Sequence, residues 1–169
     1  PEDVRTLGRG MIDAEYLKAW PQKTLAISAE ASGNMDRLTL DRLEVSLPGA
    51  LRLTGSAKAE NALRDSRKIT ARFDLRTQDM TFVKAFVPAD ARNSFNIPRG
   101  MTARGTATVH GNTYKTDLQV ATRGGRLQAK AEADLRRESY RLAAGSTAFP
   151  LGDFLPGSGL GAFSGKLTA

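Results

Sequence analysis

The sequence predicts a mainly β protein: a long curved antiparallel sheet, forming an open groove or a U-shaped β-taco, with two or three short helices. Apolar or small residues alternate with polar or charged ones in many consecutive segments, for example from Leu127 to Leu135. Short turns rich in glycine and asparagine separate these segments, as at 32–34 and 110–112. Because strand side chains point alternately to two sides, this pattern predicts an antiparallel meander with one apolar and one wet face.

One strand-like segment changes frame at Asp41-Arg42. Leu38 and Leu40 are even-numbered, whereas the apolar positions from Leu43 to Leu47 are odd-numbered. A shift of one residue would move the later side chains to the opposite face unless the backbone corrects it. We therefore expect a tight turn or a β-bulge at this point.

Three short segments interrupt the strand pattern, and each is rich in large apolar residues and followed by a proline. Since proline disfavours the helical region for the residue before it, we expect a turn or two of helix ending at each one. Each helix would either plug the apolar face or serve as a core element at the end of the sheet. The segments are 13–20 before Pro21, 79–87 before Pro88 and 150–155 before Pro156.

The spacing of these prolines indicates an internal repeat. Pro21 and Pro88 are 67 residues apart, and Pro88 and Pro156 are 68 apart. We expect one groove segment, 1–169, excerpted from a longer chain. It would contain repeats at roughly 13–78, 79–145 and 149–169, the last one truncated, as in elongated repeat proteins.

Composition argues against an enzyme and against a nucleic-acid-binding protein. The chain has no Cys and one His, His110 in a turn signal, so zinc sites and nucleophile triads are not expected. The net charge of +7 comes from cations interleaved with carboxylates on the wet face. Phe73, Tyr114 and Tyr140 fall on the apolar face, away from the cations, so base stacking is not expected. We expect no enzyme activity, cofactor, metal or nucleic-acid partner.

The apolar face is the candidate site. Apolar surface is unfavourable in contact with water, so something other than water must cover this face. Small residues in the middle of the strands, such as Ala103-Gly105-Ala107, leave room above the backbone for acyl chains. The alternative is an ordinary β-sandwich or a small closed barrel. The positions predicted to line a lipid groove are Leu25, Ile27, Leu38, Leu40, Leu43, Val45, Leu47, Leu51, Leu53, Ile69, Phe73, Leu75, Met101, Val109, Tyr114, Leu118, Val120, Leu127, Leu135, Tyr140 and Leu142.

Two runs of residues resemble the repeated phrases of the TamB and AsmA-like family of envelope proteins. One runs from Phe149 to Pro156 and continues from Leu160 to Thr168, and the other runs from Leu38 to Gly49 and leads to 51–55. The resemblance implies a hydrophobic β-groove that extends through the periplasm of a Gram-negative bacterium and is anchored in the inner membrane. The implied function is phospholipid transport between the two membranes and outer-membrane protein assembly.

The same resemblance implies the partners. These are phospholipid acyl chains and an outer-membrane barrel of the TamA type, with membrane contact through regions outside this segment. From the residues alone, three classes compete: a lipid conduit, an assembly or chaperone scaffold that pairs through an exposed strand edge, and an enzyme or carbohydrate-binding β-domain. The sequence offers no carboxylates and aromatics converging in a cleft for the third class.

Overall fold

A computed structural model describes residues 23–34, 36–87 and 92–168, and it confirms the predicted fold class. Nine antiparallel strands form one open sheet in which each strand pairs with its neighbours in sequence, in the order β1 to β9. The strands are β1 Ala26–Gly33, β2 Arg37–Leu47, β3 Leu51–Glu60, β4 Lys68–Thr77, β5 Thr102–His110, β6 Thr113–Ala121, β7 Arg126–Asp134, β8 Ser139–Pro150 and β9 Ala162–Thr168. The described helices are a 3₁₀ helix, Thr81–Phe86, and α1, Leu151–Phe154.

The sandwich and closed-barrel alternatives do not describe this part of the chain. The edge strands β1 and β9 stand at opposite ends of the strand order and do not pair with one another. Within the described residues no second sheet covers either face, and all eight residues of β1 are exposed. The sheet is therefore a single layer with two accessible faces.

The frame change at Asp41-Arg42 is a β-bulge inside β2 and not a turn. Glu30 of β1 pairs with Arg42, and the next residue, Ala31, pairs with Leu40, so Asp41 is an extra residue on β2. The register toward β3 shifts at the same place, between Leu40 and Leu43. Because the bulge absorbs one residue, the apolar positions on both sides of it stay on one face.

The connections alternate between two ends of the sheet. At the helical end, the connection from β4 to β5 contains the 3₁₀ helix, and that from β8 to β9 contains α1. At the turn end, short turns join β1 to β2, β5 to β6 and β7 to β8, and a longer loop, 61–67, joins β3 to β4. Among the described residues, the buried ones cluster toward the helical end, and they are Leu47, Ala50, Thr77, Met101, Ala103 and Phe149.

Local contacts explain why the core forms at the helical end. The ring of Phe149, only 4% exposed, stacks on Phe154 of α1 with centroids 5.0 Å apart. The backbone N–H of Asn96 donates to the Phe154 carbonyl oxygen at 2.8 Å, and its side-chain Nδ2 donates to the Asp153 carbonyl oxygen at 3.0 Å. Helix α1 thus packs against the end of the sheet through the half-buried ring of Phe154, and none of its four residues is buried. The helix expected at 13–20 lies outside the described residues.

Arg67 joins two connections at the turn end. Its Nε donates to the Gly111 carbonyl oxygen at 3.1 Å, and its Nη2 donates to the Tyr114 hydroxyl at 3.2 Å. In return, the Gly111 N–H donates to the Arg67 carbonyl oxygen at 2.9 Å. The loop between β3 and β4 is thereby held against the turn between β5 and β6.

Candidate functional site

The register of the strands places the apolar side chains in continuous rows across the sheet, and we call this side the apolar face. Antiparallel partners lie directly opposite one another, so side chains that pair from strand to strand share a face. One row consists of Ile27, Val45, Leu53, Leu75, Ala103, Val120 and Leu127. The next row consists of Ala29, Leu43, Gly55, Phe73, Gly105, Leu118, Ala129, Ala144 and Leu167.

Large parts of the apolar face are open to solvent. Ile27 is 63% exposed, Leu38 50% and Tyr140 76%, and Leu53, Leu75, Leu118 and Val120 are only half-buried. Contiguous exposed apolar surface of this kind marks a site that binds a partner or a ligand. The face is therefore a candidate binding surface.

Small residues in the middle of the apolar face keep its surface close to the backbone. Gly55 of β3 and Gly105 of β5 are the pairing partners of Phe73 on either side. A Cβ on Gly105 would lie 3.0 Å from the Phe73 ring, so the ring occupies the space that a larger residue would need. Ala57, Ala71 and Ala107 form the adjoining positions of the next row.

Most of the residues predicted to line a groove lie on this face. All except Leu25, Met101 and Leu135 are strand residues. Leu25 immediately precedes β1, and Met101 immediately precedes β5 and is buried at the helical end. For Leu135 the strand prediction is wrong: β7 ends at Asp134, and Leu135 is a turn residue that is 62% exposed.

The prediction omitted Phe163 and Leu167 of β9. Leu167 pairs with Ala144 on the apolar face, and Phe163 pairs with Phe149. A Cβ on Gly165 would lie 3.0 Å from the Phe163 ring, so this ring shares a side with position 165. The alternation Phe163, Gly165, Leu167 is the sequence signal that identifies these two residues.

The opposite side, which we call the charged face, carries cross-strand ion pairs. Lys115 Nζ lies 3.1 Å from Glu132 Oε1, and Lys130 Nζ lies 3.5 Å from Asp117 Oδ2. These groups are well exposed, so each pair contributes little to stability and mainly keeps the face soluble.

The Glu44 carboxylate on β2 has two arginine partners on the charged face. Arg42 Nη2 lies 3.0 Å from Glu44 Oε2, and Arg52 Nη2 lies 2.8 Å from Oε1. The hydrogen bond from Arg42, followed by the positive charge of Arg52, lowers the pKa of Glu44 below its ordinary value. Glu44 thus remains ionised between two cations.

Three depressions lie on the charged face, with volumes of about 600, 440 and 1010 Å³. The first spans β2 to β6 and includes Arg72 and Asp74, and the second spans β5 to β9 and includes Lys130 and Glu132. The third extends from β4 to β9 and is rich in arginine.

Fold and site together define an open, single-layer antiparallel β protein with one uncovered apolar face. Comparison with protein-family models, with curated proteins and with solved structures found no match. In 23–34, 36–87 and 92–168, no three His, Asp or Glu residues form a group able to hold a metal ion. No helix within these ranges has the length and apolar character needed to cross a bilayer.

Proposed function

We propose that this chain is a segment of a hydrophobic groove that carries phospholipid acyl chains between the inner and outer membranes. The single observation that carries this proposal is the apolar face: unbroken apolar rows that cross the strands and remain partly exposed. Acyl chains would cover this surface without hydrogen bonding. The resemblance to the TamB and AsmA-like family supports the same function.

The dimensions of the face support this function. Adjacent strands are about 4.8 Å apart, so a row across nine strands extends about 38 Å. The hydrocarbon core of a bilayer is about 30 Å thick, and the acyl chains of one leaflet span about half of this thickness. An acyl chain therefore fits along a row, and each methylene removed from water contributes about 0.8 kcal/mol.

The proposed partners follow from this function. They are phospholipid acyl chains along the apolar face and an outer-membrane barrel of the TamA type, reached through parts of the protein outside this segment. The proposed location is the periplasm, within an envelope protein anchored in the inner membrane. The charged face supports this arrangement, because its ion pairs keep one side of the sheet compatible with water.

Arginine substitutions at two neighbouring positions test acyl-chain binding. Leu53 belongs to the apolar face, and Thr54 belongs to the charged face, where it pairs with Glu44 and Asp74. A fluorescent phosphatidylcholine is titrated into the wild type, Leu53→Arg and Thr54→Arg, and circular dichroism verifies folding. We expect Leu53→Arg to raise the Kd about tenfold or more, because an unpaired guanidinium would be desolvated by the acyl chain.

Thr54→Arg is the matched control and should leave the Kd within about twofold of the wild type, since the lipid does not contact that side. Equal weakening by both substitutions would contradict the proposal. Failure of the folded wild type to bind the probe would also contradict it.

A second candidate function, as a strand-edge assembly scaffold, is favoured by the edges of the sheet. Among the described residues, strands β1 and β9 each have one partner strand, and each contains a single charged residue, Glu30 and Lys166, with no proline. Such edges can pair with a strand of another polypeptide. The chain has no Cys, so a spin label at Ser28→Cys on β1 can be compared with one at Thr70→Cys on β4.

Edge pairing predicts dipolar broadening between protein copies that grows with protein concentration for the label on β1. The label on β4 should show none, because both edges of β4 are already paired. If the dipolar broadening of the β1 label grew with protein concentration no more than that of the β4 label, edge pairing between copies of this chain would be excluded.

A further inference from the structure

We propose that the depression of the charged face that extends from β4 to β9 is a binding site for phosphate groups. This depression, of about 1010 Å³, contains four cationic side chains, Arg76, Arg104, Arg126 and Lys166, and one carboxylate, Asp74. The site lies on the side of the sheet opposite to the apolar face. It therefore does not depend on the acyl-chain proposal.

The strand register brings these cations together from four strands. One row of directly paired residues crosses the sheet from β5 to β9, and it consists of Arg104, Gln119, Gln128, Gly145 and Lys166. Arg76 and Arg126 belong to the adjoining row, two residues along their strands from Asp74 and Gln128. With strands about 4.8 Å apart, the neighbouring cations are about 8–12 Å apart at their Cα atoms. Flexible side chains of neighbouring cations, such as Arg126 and Lys166, can therefore reach one ligand, whereas the whole depression from β4 to β9 is about 24 Å long.

The positive charges in this depression are not balanced by the protein. Asp74 Oδ1 already pairs with Arg76 Nε at 3.4 Å, and the Arg104 Nε donates to the amide oxygen of Gln119 at 3.0 Å. Arg126 and Lys166 form no ion pair with any residue that the structure describes. Like charges gathered in this way repel one another, and an anion that binds among them relieves the repulsion.

A neighbouring depression on the same face is closer to charge balance, because only one of its three cations, Arg141, lacks an ion pair among the described residues. There, Lys115 pairs with Glu132 at 3.1 Å and Lys130 with Asp117 at 3.5 Å. In the depression that extends from β4 to β9, four cations face a single carboxylate. The excess of positive charge is therefore greater there than in the neighbouring depression.

The remaining groups suit a phosphate ligand. Gln119 and Gln128 supply amide donors between the cations. A Cβ built on Gly145 would find no atom closer than the Gly165 carbonyl oxygen at 4.0 Å, so the floor is open at this point. Arginine binds phosphate through paired N–H donors, and lysine adds a point charge. The fitting ligand is an anion that carries phosphate charge, either as a free phosphate compound or as a lipid headgroup.

The test compares two double variants with equal loss of charge. Arg126→Gln with Lys166→Gln removes the two unpaired cations of the depression. The control, Lys58→Gln with Lys68→Gln, removes two exposed cations of the same face that lie outside the depression. Inorganic pyrophosphate is titrated calorimetrically at low salt, and phosphatidylglycerol vesicles are compared with phosphatidylcholine vesicles by co-sedimentation.

We expect saturable binding that the first variant weakens about tenfold or more and the control changes by less than about twofold. Pyrophosphate binding without vesicle binding would assign the site to soluble phosphate compounds. Vesicle binding that requires phosphatidylglycerol and both cations would assign it to lipid headgroups. The proposal is overturned if the wild type binds neither probe, or if both variants lose binding equally.

Discussion

The ring of Phe73 lies over Gly105 at the centre of the apolar face. A Cβ on Gly105 would lie 3.0 Å from Phe73 Cε1 and 2.6 Å from the Asp117 carbonyl oxygen. The two residues are direct partners on β4 and β5. A large ring and an absent side chain thus complement one another, which keeps the aromatic group close to the backbone on the apolar face.

Gly105→Ala should lower the free energy of unfolding by about 1–3 kcal/mol, because the added methyl group collides with backbone and ring atoms. Gly145→Ala is the matched control, since the nearest atom to its new Cβ is 4.0 Å away. The control should be neutral or slightly stabilising, as alanine restricts the unfolded chain more than glycine does. Urea denaturation measures both, and equal destabilisation would refute the close packing of Phe73 on Gly105.

Arg67→Ala should lower the free energy of unfolding by about 1–2 kcal/mol, because its hydrogen bonds to Gly111 and Tyr114 lie in a partly buried setting. Arg64→Ala, in the same loop, removes an exposed pair with Asp36 and should cost less than about 0.5 kcal/mol. Thermal and urea unfolding of the two variants make the comparison. If Arg64→Ala were the more damaging change, Arg67 would not hold the turn end together.

The Asp79 carboxylate predicts a pH dependence of stability. It accepts hydrogen bonds from the Thr81 hydroxyl at 2.6 Å and the Thr81 N–H at 3.1 Å, and it pairs with Arg99 at 2.6 Å. The hydroxyl hydrogen bond is the largest cause that lowers its pKa below the ordinary 3.8. Because the pKa is depressed in the folded state, the stabilisation is present above the unfolded-state pKa and is lost as the pH falls through the folded value.

Asp79→Asn should therefore show a shallower loss of stability than the wild type below about pH 4. Above about pH 5 the stability difference between the two proteins should be constant. Asp65→Asn, at an exposed loop residue with no ion pair among the described residues, is the control for replacing a carboxylate with an amide. Parallel curves for Asp79→Asn and the wild type below pH 4 would contradict the role of Asp79.

The strands and the apolar face were predictable because alternation is a local property of the sequence. The face on which each side chain lies follows from the sequence of its own strand. The frame change at Asp41 would have moved the later side chains to the opposite face, and the β-bulge prevents this. The end of β7 was less predictable. Asp134 Oδ1 accepts hydrogen bonds from the N–H groups of Arg136 and Arg137, which starts a turn before Leu135 although the apolar alternation continues through it.

The core at the helical end and the cation-rich depression could not be predicted from local patterns. The hydrogen bonds of Asn96 reach Asp153 and Phe154, which are distant in sequence. Strand β8 also continues to Pro150 through an irregularity near Ala148, where φ is 46°, although the sequence suggested helix from Pro150 onward. The register of several strands brings Arg104, Arg126 and Lys166 to one depression. The sequence of any single strand does not indicate this arrangement.

Photo-crosslinking at adjacent positions of β6 tests the central claim, that acyl chains bind the apolar face, most directly. A diazirine amino acid replaces either Leu118, on the apolar face, or Gln119, on the charged face, and each protein is irradiated with phosphatidylcholine. Mass spectrometry should find acyl-chain adducts at position 118 and none at 119. Adducts at 119 with none at 118 would contradict the proposed lipid groove.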